Sequence, residues 1–152
     1  PDYQRSTGNY QLFQMQFDSQ SLSDTAQLAQ RVAQTLKPGD CLALEGGLGA
    51  GKTTFVPSLV EALGGDSNQV SSPTFMLLNV YETPRFKVFH LDAYRVGGAD
   101  DFETIGFQEL LEQGGVVIVE WASRVIEVMP KNCRMISIET TSENSRQFDI
   151  RP

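Results

Sequence analysis

Three features of the chain predict a single-domain α/β sandwich in which helices flank a mixed parallel/antiparallel sheet. Gly46-Gly47-Leu48-Gly49-Ala50-Gly51-Lys52-Thr53 fits the template G-x-x-x-x-G-K-[ST], and it lies between a short apolar strand, Asp40 to Glu45, and a helix from Thr54 to Leu63. Val116-Val117-Ile118-Val119 is a continuous apolar run, the pattern of a strand buried on both faces. Short polar turns at 82–85 and 142–145 each join two strand-like stretches, which favours antiparallel pairs.

The elements follow in order. Gln11 to Phe17 alternates apolar and polar residues, as a half-buried strand does. Ser21-Leu22-Ser23-Asp24 offers capping side chains to a helix with Leu22, Ala26, Ala29, Ala33 and Leu36 on one stripe, ended by Lys37-Pro38-Gly39. The helix after the glycine-rich loop should bend at Pro57, which lacks a backbone donor, and stop at Gly64-Gly65. Thr74 to Tyr81 and Phe86 to Leu91 read as strands. Asp100 to Gln113 reads as a helix with Phe102, Ile105 and Leu110 inward, and a short helix from Ser123 to Val128 stops at Pro130. Arg134 to Ile138 and Arg146 to Ile150 form a closing hairpin. Residues 10–152 make one domain, and the polar residues 1–9 read as a flexible segment.

The loop template has a chemical meaning. Glycines let the backbone curl so that successive N–H groups converge on a phosphate, while the helix behind them aims its positive end at the same anion. Lys52 would reach the β- and γ-phosphates, Thr53 would offer its hydroxyl to Mg²⁺, and Thr54 continues the motif into the helix. The reading is a nucleotide site in a P-loop NTPase-like sandwich.

Such a site needs a carboxylate at the end of a neighbouring strand to complete the metal shell. Glu120 directly follows Val116–Val119, and Asp92 directly follows Val88-Phe89-His90-Leu91. Each would otherwise be a helix cap or a surface charge. His90, the only histidine, and Trp121, the only tryptophan, are on residue type alone more often structural than catalytic. Ser72-Pro73-Thr74 lies between the loop helix and a strand, where a hydroxyl can sense a γ-phosphate, although a rigid turn explains it equally.

The chain has 19 acidic and 12 basic residues, a net charge of −7 with no Lys/Arg run, which argues against direct RNA or DNA binding unless a partner supplies the basic surface. No apolar run approaches the ~18 residues of a membrane span, and no signal peptide is visible, so a cytoplasmic location is expected. Cys41 and Cys133 lack metal-ligand spacing and read as core thiols.

Gly-Leu-Gly-Ala-Gly-Lys-Thr-Thr at 47–54, Ser-Pro-Thr at 72–74, His-Leu-Asp-Ala-Tyr-Arg at 90–95 and Val-Glu-Trp at 119–121 occur in that order over nearly the whole chain. Together they resemble the TsaE (YjeE) family, the ATPase of bacterial tRNA threonylcarbamoyladenosine biosynthesis. The resemblance implies a cytoplasmic ATPase, slow alone and stimulated by its partners TsaD and TsaB, which modify adenosine 37 of tRNAs reading ANN codons. It implies ATP and Mg²⁺ as ligands, with the metal near Thr53, Asp92 and Glu120, and Arg146 near the base or ribose. It also implies a switch or partner-facing role for Ser72, Pro73, Thr74, His90, Tyr94, Arg95 and Trp121. Two positions depart from the family pattern: Gly47, where a polar residue is usual, and Ala122, where proline is usual.

A small-molecule kinase is the alternative, since kinases also join a phosphate loop to a compact α/β body. No Arg-rich lid insertion supports it. A guanine-binding switch would need an Asn-Lys-x-Asp element, which the sequence lacks.

Overall fold

Apolar runs and turn residues divide the chain into short elements, most of which join one sheet. The computed structural model describes residues 3–6, 9–12, 15–46, 52–70, 78–94 and 106–151, with side chains from residue 15 onward except at 52 and 53. The strands are β1 (Tyr3–Ser6), β2 (Asn9–Leu12), β3 (Met15–Ser19), β4 (Cys41–Glu45), β5 (Leu78–Glu82), β6 (Lys87–Asp92), β7 (Val116–Glu120), β8 (Arg134–Thr140) and β9 (Arg146–Arg151). The α-helices are α1 (Leu22–Thr35), α2 (Lys52–Ala62) and α3 (Phe107–Glu112). Seven strands form one sheet in the order β3-β9-β8-β4-β7-β6-β5. Its centre, β8-β4-β7-β6, is parallel, whereas β3-β9, β9-β8 and β5-β6 are antiparallel. The mixed sheet and both expected hairpins are present.

Alternate side chains on a strand face opposite sides of the sheet. Leu42, Leu44, Val88, Val116 and Ile118 pack with α1 and α2 in one core; Cys41, Ala43, Phe89, Leu91, Val117 and Val119 pack with α3 in the other. Coverage on both sides is why β4 and β7 read as unbroken apolar runs. Cys41 and Cys133 meet in the second core. The hydrogen bond between them, with burial added, pushes the Cys41 thiol far above its ordinary range, and the same bond draws Cys133 downward.

Helix α1 begins where expected: Ser21 Oγ accepts from Asp24 N at 3.1 Å, and Asp24 Oδ2 accepts from Gln20 N at 2.9 Å. Its buried stripe differs from the sequence reading. Thr25, Leu28, Ala29, Val32 and Ala33 are inside, whereas Leu22, the first residue of the helix, is 73% exposed. The last turn has no basic residue of its own. Arg134 Nη2 donates to Thr35 O at 3.0 Å and Arg85 Nη2 to Leu36 O at 3.0 Å, so two distant guanidinium groups satisfy the helix end.

The expected first strand, Gln11 to Phe17, is divided. Residues 9–12 belong to a separate ribbon with β1, and the main sheet starts at Met15, where Met15, Phe17 and Ser19 stand opposite Ile150, Phe148 and Arg146. Helix α2 runs through Pro57 and ends at Gly64, whose φ of +90° suits glycine. Gly115, before β7, is fixed by close approach: a Cβ there would lie 2.6 Å from Lys87 O. The expected helix 100–113 is seen as α3, residues 100–105 lying outside the described set. The expected short helix after β7 is a 3-10 segment, Ala122–Val128. Among the described residues, no helix is long and apolar enough to cross a membrane.

Candidate functional site

Parallel strands end on the same side of a sheet, so β4, β6 and β7 present their last residues, Glu45, Asp92 and Glu120, along one edge. In open α/β sheets this carboxyl edge is where ligands bind. Asp92 and Glu120 are direct register partners, and Glu120 is also the register partner of Leu44. The chain leaves β4 at Glu45, and helix α2 begins at Lys52, so the glycine-rich segment follows the strand end that lies next to Glu120 in the sheet. Residues 47–51 and the side chains of Lys52 and Thr53 lie outside the described residues, as do Ser72, Pro73, Thr74 and Arg95.

Both acids are nearly buried, Asp92 at 9% and Glu120 at 6% exposure. Asp92 Oδ1 accepts from Tyr94 N at 2.8 Å, which turns the chain sharply after β6. Glu120 Oε2 accepts from His90 Nε2 at 2.6 Å, and Tyr81 Oη lies 3.0 Å from His90 Nδ1. Asn79 Nδ2 donates to Tyr81 Oη at 3.4 Å. The backbone ladder continues past the acids, with Ala93 N donating to Glu120 O at 3.0 Å and Trp121 N to Leu44 O at 3.1 Å. Glu45 Oε1 accepts from Ser123 N and ties the segment after β7 to the end of β4.

This arrangement suits Mg²⁺ chemically. Magnesium is held by one or two carboxylates plus substrate phosphates and keeps several waters, so it needs no protein cage. Two adjacent carboxylates at strand ends match that demand. Among the described residues, no group of three or more His, Cys, Asp or Glu forms a closed metal site.

A pocket of about 490 Å³ is lined by residues that include Thr54, Ser19, Ser21, Thr25, Arg146 and Phe148. Thr54 directly follows the phosphate-loop template in the sequence. Arg146 Nη1 donates to Ser145 O at 2.9 Å and Ser142 O at 3.1 Å, holding the β8–β9 turn at the pocket rim.

The family model described as "Threonylcarbamoyl adenosine biosynthesis protein TsaE" matches residues 19–148. The chain belongs to the TsaE family. It is 43% identical over 133 residues to the tRNA threonylcarbamoyladenosine biosynthesis protein TsaE of Aquifex aeolicus, covering 86% of this chain and 91% of that one. The TsaE of Bacillus subtilis is 36% identical over 135 residues, covering 89% and 84%. The crystal structure of Bacillus subtilis YdiB superposes with a TM-score of 0.71 at 31% identity, covering 90% of this chain and 84% of that chain.

The TsaE-like block at 90–95 separates into distinct environments. His90 is 2% exposed, so it does not form part of a surface that meets a partner, contrary to its grouping in the sequence reading; the apolar neighbours of β6 enclose it. Tyr94 is 46% exposed, its ring 4.8 Å from that of Trp121 and 5.0 Å beneath the Arg124 guanidinium. Trp121 adopts φ +59°, uncommon for a non-glycine residue, and packs against the second core. Tyr81, Asn79 and Glu45 escaped the sequence reading. The hairpin register carried the missing signal: with Glu82 opposite Lys87, Asn79 falls opposite His90.

Proposed function

We propose that this chain is an Mg²⁺-dependent ATPase that acts on the TsaD–TsaB pair during threonylcarbamoylation of tRNA. The observation that carries the reading is the register pairing of Asp92 with Glu120 beside the strand end that feeds the phosphate-loop motif. Lys52 and the loop amides would hold the phosphates, and Thr53, Asp92 and Glu120 would hold Mg²⁺, whose bound form neutralises charge on the transferring phosphoryl group. The buried carboxylates would orient the attacking water in a site of low dielectric. Tyr94 and Trp121 supply aromatic surface of the kind enriched in interface hot spots. A net charge of −7 fits a subunit that leaves the tRNA to its partners.

Titration of the TsaD–TsaB pair with this chain under ATP, ADP and no nucleotide tests the reading. Affinity should depend on nucleotide state, and Lys52→Ala should remove that dependence while lowering ATP affinity at least tenfold, about 1.4 kcal/mol. Equal affinity in all three states would exclude a nucleotide switch, and phosphate transfer only to a small acceptor would favour a kinase.

The pocket flanked by Thr54 and Arg146 has the size and position to take the base and ribose. Arg146→Ala should change the ratio of ATP to GTP affinity in parallel calorimetric titrations. An unchanged ratio would restrict Arg146 to stabilising its turn.

A further inference from the structure

Four side chains from three strands form one polar chain inside an otherwise apolar layer: Asn79 and Tyr81 on β5, His90 on β6 and Glu120 on β7. A carboxylate only accepts, so His90 Nε2–H faces Glu120, while Tyr81 Oη meets His90 Nδ1 at 3.0 Å and Asn79 Nδ2 donates to Tyr81 Oη. Hydrogen bonds at both ring nitrogens fix the rotation of the imidazole. The neighbours on this face include Val88 and Ile118, and replacing a buried polar pair by apolar residues of similar volume is often neutral or stabilising. Packing alone therefore does not explain the pair.

We infer that His90 is a positioning residue for Glu120, itself oriented by Tyr81, and that it holds Oε2 so that Oε1 is set toward the metal of the nucleotide complex. This rests on the proposed Mg²⁺-ATPase reading. A carboxylate on a rotatable stem otherwise samples several rotamers, and a fixed donor to one oxygen removes that freedom before the metal arrives.

The test measures Mn²⁺ binding to the ADP complex by electron paramagnetic resonance, beside ADP binding in EDTA, thermal melting and steady-state hydrolysis. His90→Leu should weaken Mn²⁺ binding about tenfold or more, leave ADP binding in EDTA unchanged, and lower kcat more than it alters KM. His90→Gln keeps an N–H donor and should recover most of the metal affinity, with Tyr81→Phe between it and wild type. Should His90→Leu fail to fold, His90→Gln and Tyr81→Phe decide the matter by the same measurements. Equal Mn²⁺ affinity in wild type and the folded variants, or equal losses in His90→Gln and His90→Leu, would overturn the positioning role. A wild-type chain that bound neither nucleotide nor metal would instead overturn the ATPase reading on which it rests.

Discussion

Glu120→Gln should lower Mg²⁺-dependent ATP hydrolysis about a hundredfold, or about 2.7 kcal/mol on the barrier, while the fold persists. The substitution keeps the size of a side chain that is 6% exposed, so packing in the layer beneath α2 is preserved. It removes the negative charge beside Asp92, and with it part of the hold that the proposed site would have on Mg²⁺. His90 Nε2 loses a carboxylate acceptor but can still meet the amide oxygen, which limits the structural cost. Single-turnover hydrolysis at saturating ATP, with circular dichroism and melting of the same samples, checks the result. Near-normal turnover accompanied by a large fall in melting temperature would make Glu120 a structural acid rather than a metal ligand.

Phe55→Ala should destabilise the protein by about 3–5 kcal/mol. Phe55 is fully buried on the inner face of α2, its ring 5.6 Å from Phe148 on β9. Truncation would leave a void between the helix that follows the phosphate loop and the face of the sheet it covers, where close-packed neighbours relax only in part. Against the 5–15 kcal/mol typical of a whole domain, the loss is large. Urea denaturation should show a lower midpoint with an unchanged slope. Thr54 and Phe148 both line the 490 Å³ pocket, so the variant should also bind nucleotide more weakly at temperatures where it remains folded. A stability loss under about 1 kcal/mol would mean that the site collapses around the smaller side chain.

Local pattern determined much of this protein in advance. The glycine spacing before Lys52, the acids closing two apolar strands, the hairpin turns at 82–85 and 142–145 and the Ser21 cap are all written within a few neighbouring residues. They follow from steric limits on the backbone, alternation on strands and the unsatisfied donors at helix ends. Strand order is a different kind of fact. Whether Asp92 and Glu120 end up side by side depends on which parallel strand lies next to which, and local periodicity is the same for every permutation. The same holds for the 30-residue separation between His90 and Glu120 and the 99-residue separation between Thr35 and Arg134. Leu22 satisfied the helical period and is nevertheless exposed, because periodicity gives a face its phase but not the length over which a sheet covers it. The tertiary structure alone made His90, a residue whose type reads as more often structural than catalytic, the buried partner of a carboxylate, since burial is decided by what packs above a strand and not by the residues along it.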